Sequence, residues 1–435
     1  MTGHLYIVSG ASGSGKTTLV DLIIDECEGV VQVPKYSERA SRGPHDDTKH
    51  VEEVGSEEYD ITYVLNDYYY GIKTWEIEAQ INEGKDAFII LSDFKMIRRL
   101  KERFPDNSSS IYVSSAVDPL TLQRVMAERH ANEIDPTTEQ SIALRKNFYK
   151  LQCSAQLDRW STVLEGMSDL LQEWNDVVPH AESARIRSEK IRSFHLRYID
   201  QLTLFDYVIL NHSQGNPKDM LRQGKKIFEN RAERDTPSKK EPVLFVVAAA
   251  SGAGKGLLME TTGRLIGPKR IGIVRKQALR EAKVNDRRDG LEALGVDGTF
   301  SSGFDFDWTF HKSEKNDGHN GTRYAINTKA VKVGLAEGIT QIVVSNIGIF
   351  PRFREVFGEQ VVFIYLHSTR PESEVRAYQL QNCDTQEEAE KRIQEIREVH
   401  DSYMNNIWQF HHVLLNTSYK EDLFDQMLEL ARHHK

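Results

Sequence analysis

Gly10-Ala11-Ser12-Gly13-Ser14-Gly15-Lys16-Thr17 is the stretch from which the rest of the chain can be read. The apolar run Leu5-Tyr6-Ile7-Val8 precedes it and reads as a buried strand. Thr18-Leu19-Val20-Asp21-Leu22-Ile23-Ile24 follows and reads as a helix with one apolar face. Strand, G-x-x-x-x-G-K-T and helix in that order is the context of a phosphate-binding loop. The glycines let successive backbone N–H groups turn inward around phosphate oxygens without Cβ clashes. The helix N-terminus adds its partial positive charge. Gly10, Ser12, Gly13, Ser14, Gly15, Lys16, Thr17 and Thr18 are therefore the expected phosphate-binding set. In this pattern Lys16 bridges the terminal phosphates and the Thr17 hydroxyl coordinates Mg²⁺.

A chain of 435 residues exceeds one ordinary hydrophobic core, so two domains are expected. Its 39% hydrophobic content suffices for globular folding. The net charge of −9 argues against a protein that coats nucleic acid. Cys27, Cys153 and Cys383 lie far apart with no paired metal spacing, and no charged-then-apolar leader precedes the first strand. No apolar run approaches the length of a membrane span. These features together predict a reduced, cytoplasmic protein. His433 and His434 are expected on the surface rather than on a metal, because no third ligand is evident.

The loop recurs. Leu244-Phe245-Val246-Val247 is another buried-strand run, and Ala249-Ala250-Ser251-Gly252-Ala253-Gly254-Lys255-Gly256 follows it. Gly252, Gly254 and Lys255 are the matching binding residues of this second loop. Two copies do not make a solenoid. The chain reads as tandem α/β domains over 1–215 and 242–435, joined by a linker over 216–241. Residues 137–203 carry Leu157, Trp160, Leu164, Met167, Leu170, Leu171 and Trp174 at helical spacing, which predicts a helical insertion. Its apolar stripe suits packing within the monomer, or a lid, homodimer or protein-partner surface. Strands are also expected over 87–91, 111–113, 207–211, 342–344, 361–366 and 412–416, with a charged helix over about 385–405.

In this order the motifs resemble the guanylate kinase family of P-loop nucleoside monophosphate kinases. The matching segments are Gly10 to Thr17, a loop bearing Arg39 and Arg42, Tyr69-Tyr70-Gly71, Glu83-Gly84-Lys85-Asp86 before a strand ending at Asp93, and Phe205 to Asn211. The resemblance implies two tandem P-loop kinase domains, each a mainly parallel sheet flanked by helices, the second divergent. It implies ATP and Mg²⁺ as cofactors and a small phosphorylated acceptor, with no role for a membrane or nucleic acid. Lys16, Asp93 and the lid arginines Arg129 and Arg145 would be catalytic, Arg39, Arg42 and Tyr70 would hold the acceptor phosphate, and Thr17 and Asp93 would hold the metal.

Departures from the family pattern are as informative. Gly43-Pro44-His45 replaces the usual Pro-Gly-Glu, and Ile72-Lys73 follows Tyr-Tyr-Gly, so the guanine-reading groups lack counterparts. The acceptor is then another nucleotide or a sugar phosphate, as in a branch that resembles ribose 1,5-bisphosphate kinases. In the second half Ala249 stands in place of Gly10, where its Cβ is expected to crowd the loop. Gly256 replaces Thr17 and Asn346 replaces Asp93. These losses predict a regulatory or degenerate copy. The expected function is a small-molecule kinase, the alternative a non-catalytic nucleotide sensor or protein-interaction scaffold.

Overall fold

Short runs of valine, isoleucine and leucine become the central strands of this fold because both of their faces are covered. The computed structural model describes residues 3–40, 46–55, 57–65, 67–115, 192–211, 217–234, 242–266, 271–282, 286, 290–309, 322–370, 372–382, 385–417 and 420–434. The first half holds β1 (Leu5–Ser9), β2 (Val30–Gln32), β3 (Lys35–Ser37), β4 (Thr48–His50), β5 (Ile61–Leu65), β6 (Tyr68–Ile72), β7 (Asp86–Ile90), β8 (Ser108–Ser115) and β9 (Tyr207–Asn211). The second holds β10 (Leu244–Ala249), β11 (Ile271–Ile273), β12 (Lys276–Ala278), β13 (Leu291–Ala293), β14 (Phe306–Thr309), β15 (Arg323–Ile326), β16 (Thr340–Ser345), β17 (Val361–Ser368) and β18 (His412–Asn416).

Five strands of the first half form a wholly parallel sheet in the order β2-β7-β1-β8-β9. The second half repeats this as β11-β16-β10-β17-β18, again wholly parallel. Parallel neighbours require long crossovers, and helices supply them. Each half also carries a smaller mixed sheet, β4-β3-β6-β5 and β13-β12-β15-β14. The mixed α/β class with parallel sheets flanked by helices is the expected one. The small sheets go beyond the sequence reading, because half of their strands have three residues and carry no measurable period.

The halves meet through a reciprocal pair of tyrosines. Tyr198, in helical residues 192–200, donates its hydroxyl proton to the Val413 carbonyl of β18 at 2.9 Å. Tyr403, in the helix Gln386–Asn405, donates to the Val208 carbonyl of β9 at 2.6 Å. Each ring stacks on a tyrosine of its own half, Tyr112 at 4.0 Å and Tyr365 at 4.1 Å between centroids. Arg192 forks onto Asp422 at 2.8 and 3.0 Å across the same boundary.

Two expectations change. The supposed linker is structured over much of its length: Pro217–Glu229 is a helix that buries Met220, Gln223, Gly224 and Ile227. Its apolar positions recur at helical spacing beneath a charged face, and it lies so close to the helix Lys16–Glu26 that a Cβ on Gly224 would meet Ile23 at 2.8 Å. His434 is buried, with 2% of its surface exposed, because it closes on His412 (Nε2 to Nε2, 3.2 Å) and edge-on against Phe245. Of the helical insertion expected over 137–203, residues 137–191 lie outside the described residues.

Two tests follow from the packing. Tyr198→Phe and Tyr403→Phe each deprive a buried strand carbonyl of a donor, and each is expected to lower unfolding stability by about 1 kcal/mol in denaturant titrations. Burial pushes the His4 imidazole down to about 4 and the His412 imidazole well below its usual 6.5. The folded chain therefore binds fewer protons than the unfolded chain just below pH 6.5. Stability present above that pH is lost as pH falls, by up to about 1.4 kcal/mol per pH unit for each site. Unfolding midpoints at pH 7 and pH 5 should show the drop, and His4→Gln should reduce it.

Candidate phosphate-binding site

β1 hands the chain to the loop at Gly10, where the strand must end. The backbone there has φ +153°, and a Cβ would sit 2.5 Å from the Val113 carbonyl oxygen of β8. Gly13 and Gly15 follow with φ of 79° and 95°, which side chains rarely permit. The helix Lys16–Glu26 then starts, its first turn closed by Leu19 N–H donating to the Gly15 carbonyl at 2.8 Å. Asn211, the last residue of β9, donates its side-chain N–H to the Ser14 carbonyl at 3.0 Å and so fixes the loop from the next strand but one. A glutamine anchors that strand end in turn: Gln223 accepts from Leu210 N and donates back to Leu210 O, both at 2.9 Å.

Lys16 folds over this loop and donates to the Gly10 and Ala11 carbonyls at 2.9 and 2.8 Å. Burial is the main reason its ammonium is pushed down to about 8, and the charge of Lys35 adds to it against the opposing Asp47. Thr17 is half-buried, Thr18, Ser12 and Gly13 are exposed, and the Ser9 and Ser14 hydroxyls find no partner among the described residues. The loop thus offers the Lys16 ammonium and the exposed Ser12 and Thr18, above the buried Ser9 and Ser14 hydroxyls. That donor set fits phosphate oxygens, and the Thr17 oxygen is of the hard type that suits Mg²⁺.

The small sheet supplies a second cationic wall. Arg39 is 7% exposed; its fork meets Asp46 at 2.7 and 2.5 Å, and its Nε donates to the Tyr70 hydroxyl at 3.2 Å. The hydrogen bonds to Asp46 hold the guanidinium above its ordinary pKa. Tyr70 stacks on Tyr63 at 5.2 Å. Lys35, 8% exposed, meets Asp47 at 2.7 Å, and burial lowers its pKa. Asp93 follows β7 and caps the helix Phe94–Arg103, where its Oδ1 accepts from Lys95 N at 2.8 Å and Met96 N at 3.2 Å. Burial raises the Tyr63 phenol, and the charges of Tyr70, Asp47 and Asp93 add to it.

The structure therefore brings Lys16, Arg39, Tyr70 and Asp93 around the C-terminal end of the first parallel sheet and its small companion. Arg42, Arg129 and Arg145 lie outside the described residues. Sequence reasoning missed Lys35, Asp46 and Asp47. The adjacent acidic pair after a basic loop was the available signal.

The second half repeats much of this geometry. Lys255 donates to the Ala249 and Ala250 carbonyls at 3.1 and 2.7 Å, and Asn416 donates to the Ala253 carbonyl at 2.8 Å. Arg280 forks onto Asp286 at 3.0 and 2.6 Å. The expected crowding at Ala249 does not displace the lysine, because β10 runs one residue further and pairs Ala249 with Leu366. Asn346 makes no cap. Its amide donates to the Thr309 carbonyl at 3.2 Å, and a single 3₁₀ turn, Ile347–Ile349, precedes the helix Phe350–Phe357.

No protein-family model matches the chain. Guanylate kinases are similar over part of it. That of Alkalilimnicola ehrlichii is 26% identical over 114 residues, which are 24% of this chain and 56% of that protein. That of Histophilus somni is 25% identical over 130 residues, 27% of this chain and 62% of that protein. That of Thermotoga maritima is 23% identical over 208 residues, 45% of this chain and 96% of that protein. The likeness falls on part of the chain, in sequences that are guanylate kinases. It spans 56% and 62% of the length of the first two relatives. Among solved structures, guanylate kinase from Anaplasma phagocytophilum aligns with 46% of this chain and 89% of its own at 16% identity and a TM-score of 0.29.

The close approach at Gly10 gives a direct test. Gly10→Ala forces its Cβ against the Val113 carbonyl and is expected to destabilise the fold by about 1–3 kcal/mol. Affinity for inorganic triphosphate as a probe of the loop, measured by calorimetry, should fall about tenfold or more. Gly55→Ala, where a Cβ meets nothing within 4 Å, should leave both unchanged.

Proposed function

We propose that this chain is an ATP- and Mg²⁺-dependent kinase that transfers the γ-phosphoryl group to a phosphorylated small molecule, a nucleoside monophosphate or a sugar phosphate. The observation that carries this reading is Lys16, held over its glycine-rich loop by the Gly10 and Ala11 carbonyls, with a buried Arg39 bonded to Tyr70 on the small sheet of the same half. The likeness to guanylate kinases supports the same reaction class. Chemistry belongs to residues 1–215, and residues 242–435 act as a divergent regulatory copy.

Transfer between two phosphate-bearing molecules brings anions together, so catalysis is mainly positioning and charge neutralisation. Lys16 and the loop amides hold the donor phosphates. Arg39 leaves Asp46 to fork onto the acceptor phosphate, and the Tyr70 hydroxyl orients it. Thr17, with Asp93 through water, would hold Mg²⁺, which when bound neutralises phosphate charge. Arg42, Arg129 and Arg145 complete the cationic enclosure in this proposal. Gly256 and Asn346 leave the second half without the corresponding hydroxyl and carboxylate, which favours binding over turnover there.

The test is phosphoryl transfer from ATP across a panel of nucleoside monophosphates and sugar phosphates. Wild type should show transfer, Lys16→Ala should lose about 100-fold or more, and Lys255→Ala should retain it. Nucleotide binding without transfer to any acceptor would replace this reading with a nucleotide sensor or scaffold.

A further inference from the structure

β9 and β18 are the last strands in the order of their sheets, each hydrogen-bonded to a neighbour on one side only. The open side of such a strand presents backbone N–H and C=O groups that need partners. On β9 these groups belong to the alternate residues Val208 and Leu210. Gln223 accepts from Leu210 N and donates to Leu210 O, both at 2.9 Å. The Val208 carbonyl is left to the other half and accepts from the Tyr403 hydroxyl at 2.6 Å. β18 is closed in the same way. Gln426 accepts from Leu415 N at 2.8 Å and donates to Leu415 O at 2.9 Å, and the Val413 carbonyl accepts from the Tyr198 hydroxyl at 2.9 Å. Each open edge thus takes a glutamine from its own half and a tyrosine from the other.

The anchors are also tied to one another. Arg222, beside Gln223, donates to Asp401 at 2.8 Å on the helix that bears Tyr403. Asp422, on the helix that bears Gln426, accepts the fork of Arg192 from the helical segment of Tyr198. The strands held in this manner end on the residues that shape the phosphate loops. Asn211 stands three residues beyond Val208 and donates to the Ser14 carbonyl at 3.0 Å. Asn416 stands three residues beyond Val413 and donates to the Ala253 carbonyl at 2.8 Å. Neither contact has slack: a Cβ on Gly15 would lie 3.0 Å from Asn211 Nδ2, and one on Gly254 would lie 2.2 Å from Asn416 Nδ2. A strand paired on one side has half a ladder to resist displacement, so what closes its open side sets where its end lies.

We propose that Tyr403 is a positioning residue of the first phosphate loop and Tyr198 of the second, each acting from the opposite half through an edge strand and its terminal asparagine. The first loop is then incomplete without the second half. A copy with Gly256 and Asn346 at its chemical positions keeps a task that needs no turnover of its own. This rests on reading both loops as phosphate sites, and it adds what each half does for the other.

Calorimetric titration of the full chain with inorganic triphosphate tests it. Lys255→Ala leaves the first loop as the reporting site, and Lys16→Ala leaves the second. Tyr403→Phe removes one hydroxyl and keeps the ring that stacks on Tyr365. It should weaken triphosphate at the first loop about fivefold and at the second by less than about twofold, and Tyr198→Phe should do the reverse. Once Asn211→Ala has cut the link to Ser14, Tyr403→Phe should have no further effect on the first loop, because residues acting through one chain of contacts are not additive. Equal loss at both loops, loss at neither, or effects of Tyr403→Phe and Asn211→Ala that simply add would overturn the inference, leaving the tyrosines a role in stability alone. If only one of the two lysine variants binds triphosphate, its own arm decides: the tyrosine of the opposite half must weaken binding and the other must not. If neither binds it, the phosphate-site reading itself fails, and the inference with it.

Discussion

Holding Lys16, Lys35 and Arg39 in one poorly solvated region is the constraint on which the first half depends. Each cation loses hydration there, and mutual repulsion adds to the cost. The structure answers with a separate partner for each: loop carbonyls for Lys16, Asp47 for Lys35, and Asp46 with Tyr70 for Arg39.

The sheet gives that arrangement its precision. A parallel strand buried on both faces cannot shift register without unpairing neighbours on each side, so the residues at its C-terminal end are fixed in space. Gly10 and Asp93 follow such strands in the first half, and Asn211 ends β9 at the edge of the same sheet. The side chain of Asn211 carries this rigidity into the loop by holding the Ser14 carbonyl, and Gln223 holds the strand end that bears Asn211. The same devices recur as Asn416 and Gln426, so the second loop keeps its shape although it lacks the hydroxyl after its lysine.

The contact between the halves is specific rather than merely apolar. A tyrosine hydroxyl is buried at low cost only when it finds an acceptor. Here each half offers a strand carbonyl to the other half's tyrosine, at Val413 and at Val208. β9 and β18, which carry the loop-holding asparagines, are the strands so engaged. Each phosphate loop therefore rests on a strand that the opposite half helps to hold.

The sequence by itself determined the strand–loop–helix at residues 5–26, its repeat after β10, the run of parallel strands and the capped helix beginning at Gln386. Those features follow from local chemistry: glycine at positive φ, apolar runs, and a side-chain cap from Thr385 to the Glu388 amide. Arg39 and Tyr70 were singled out as candidates because their spacing matched a family pattern. Tertiary structure alone decided their partners. That Arg39 meets Asp46, that Lys35 is buried beside Asp47 and near Lys16, that His434 turns inward onto His412, and that residues 217–229 pack as a helix all depend on which surfaces close on one another. A side chain's exposure and counter-ion are set by neighbours distant in sequence, and no local pattern encodes them.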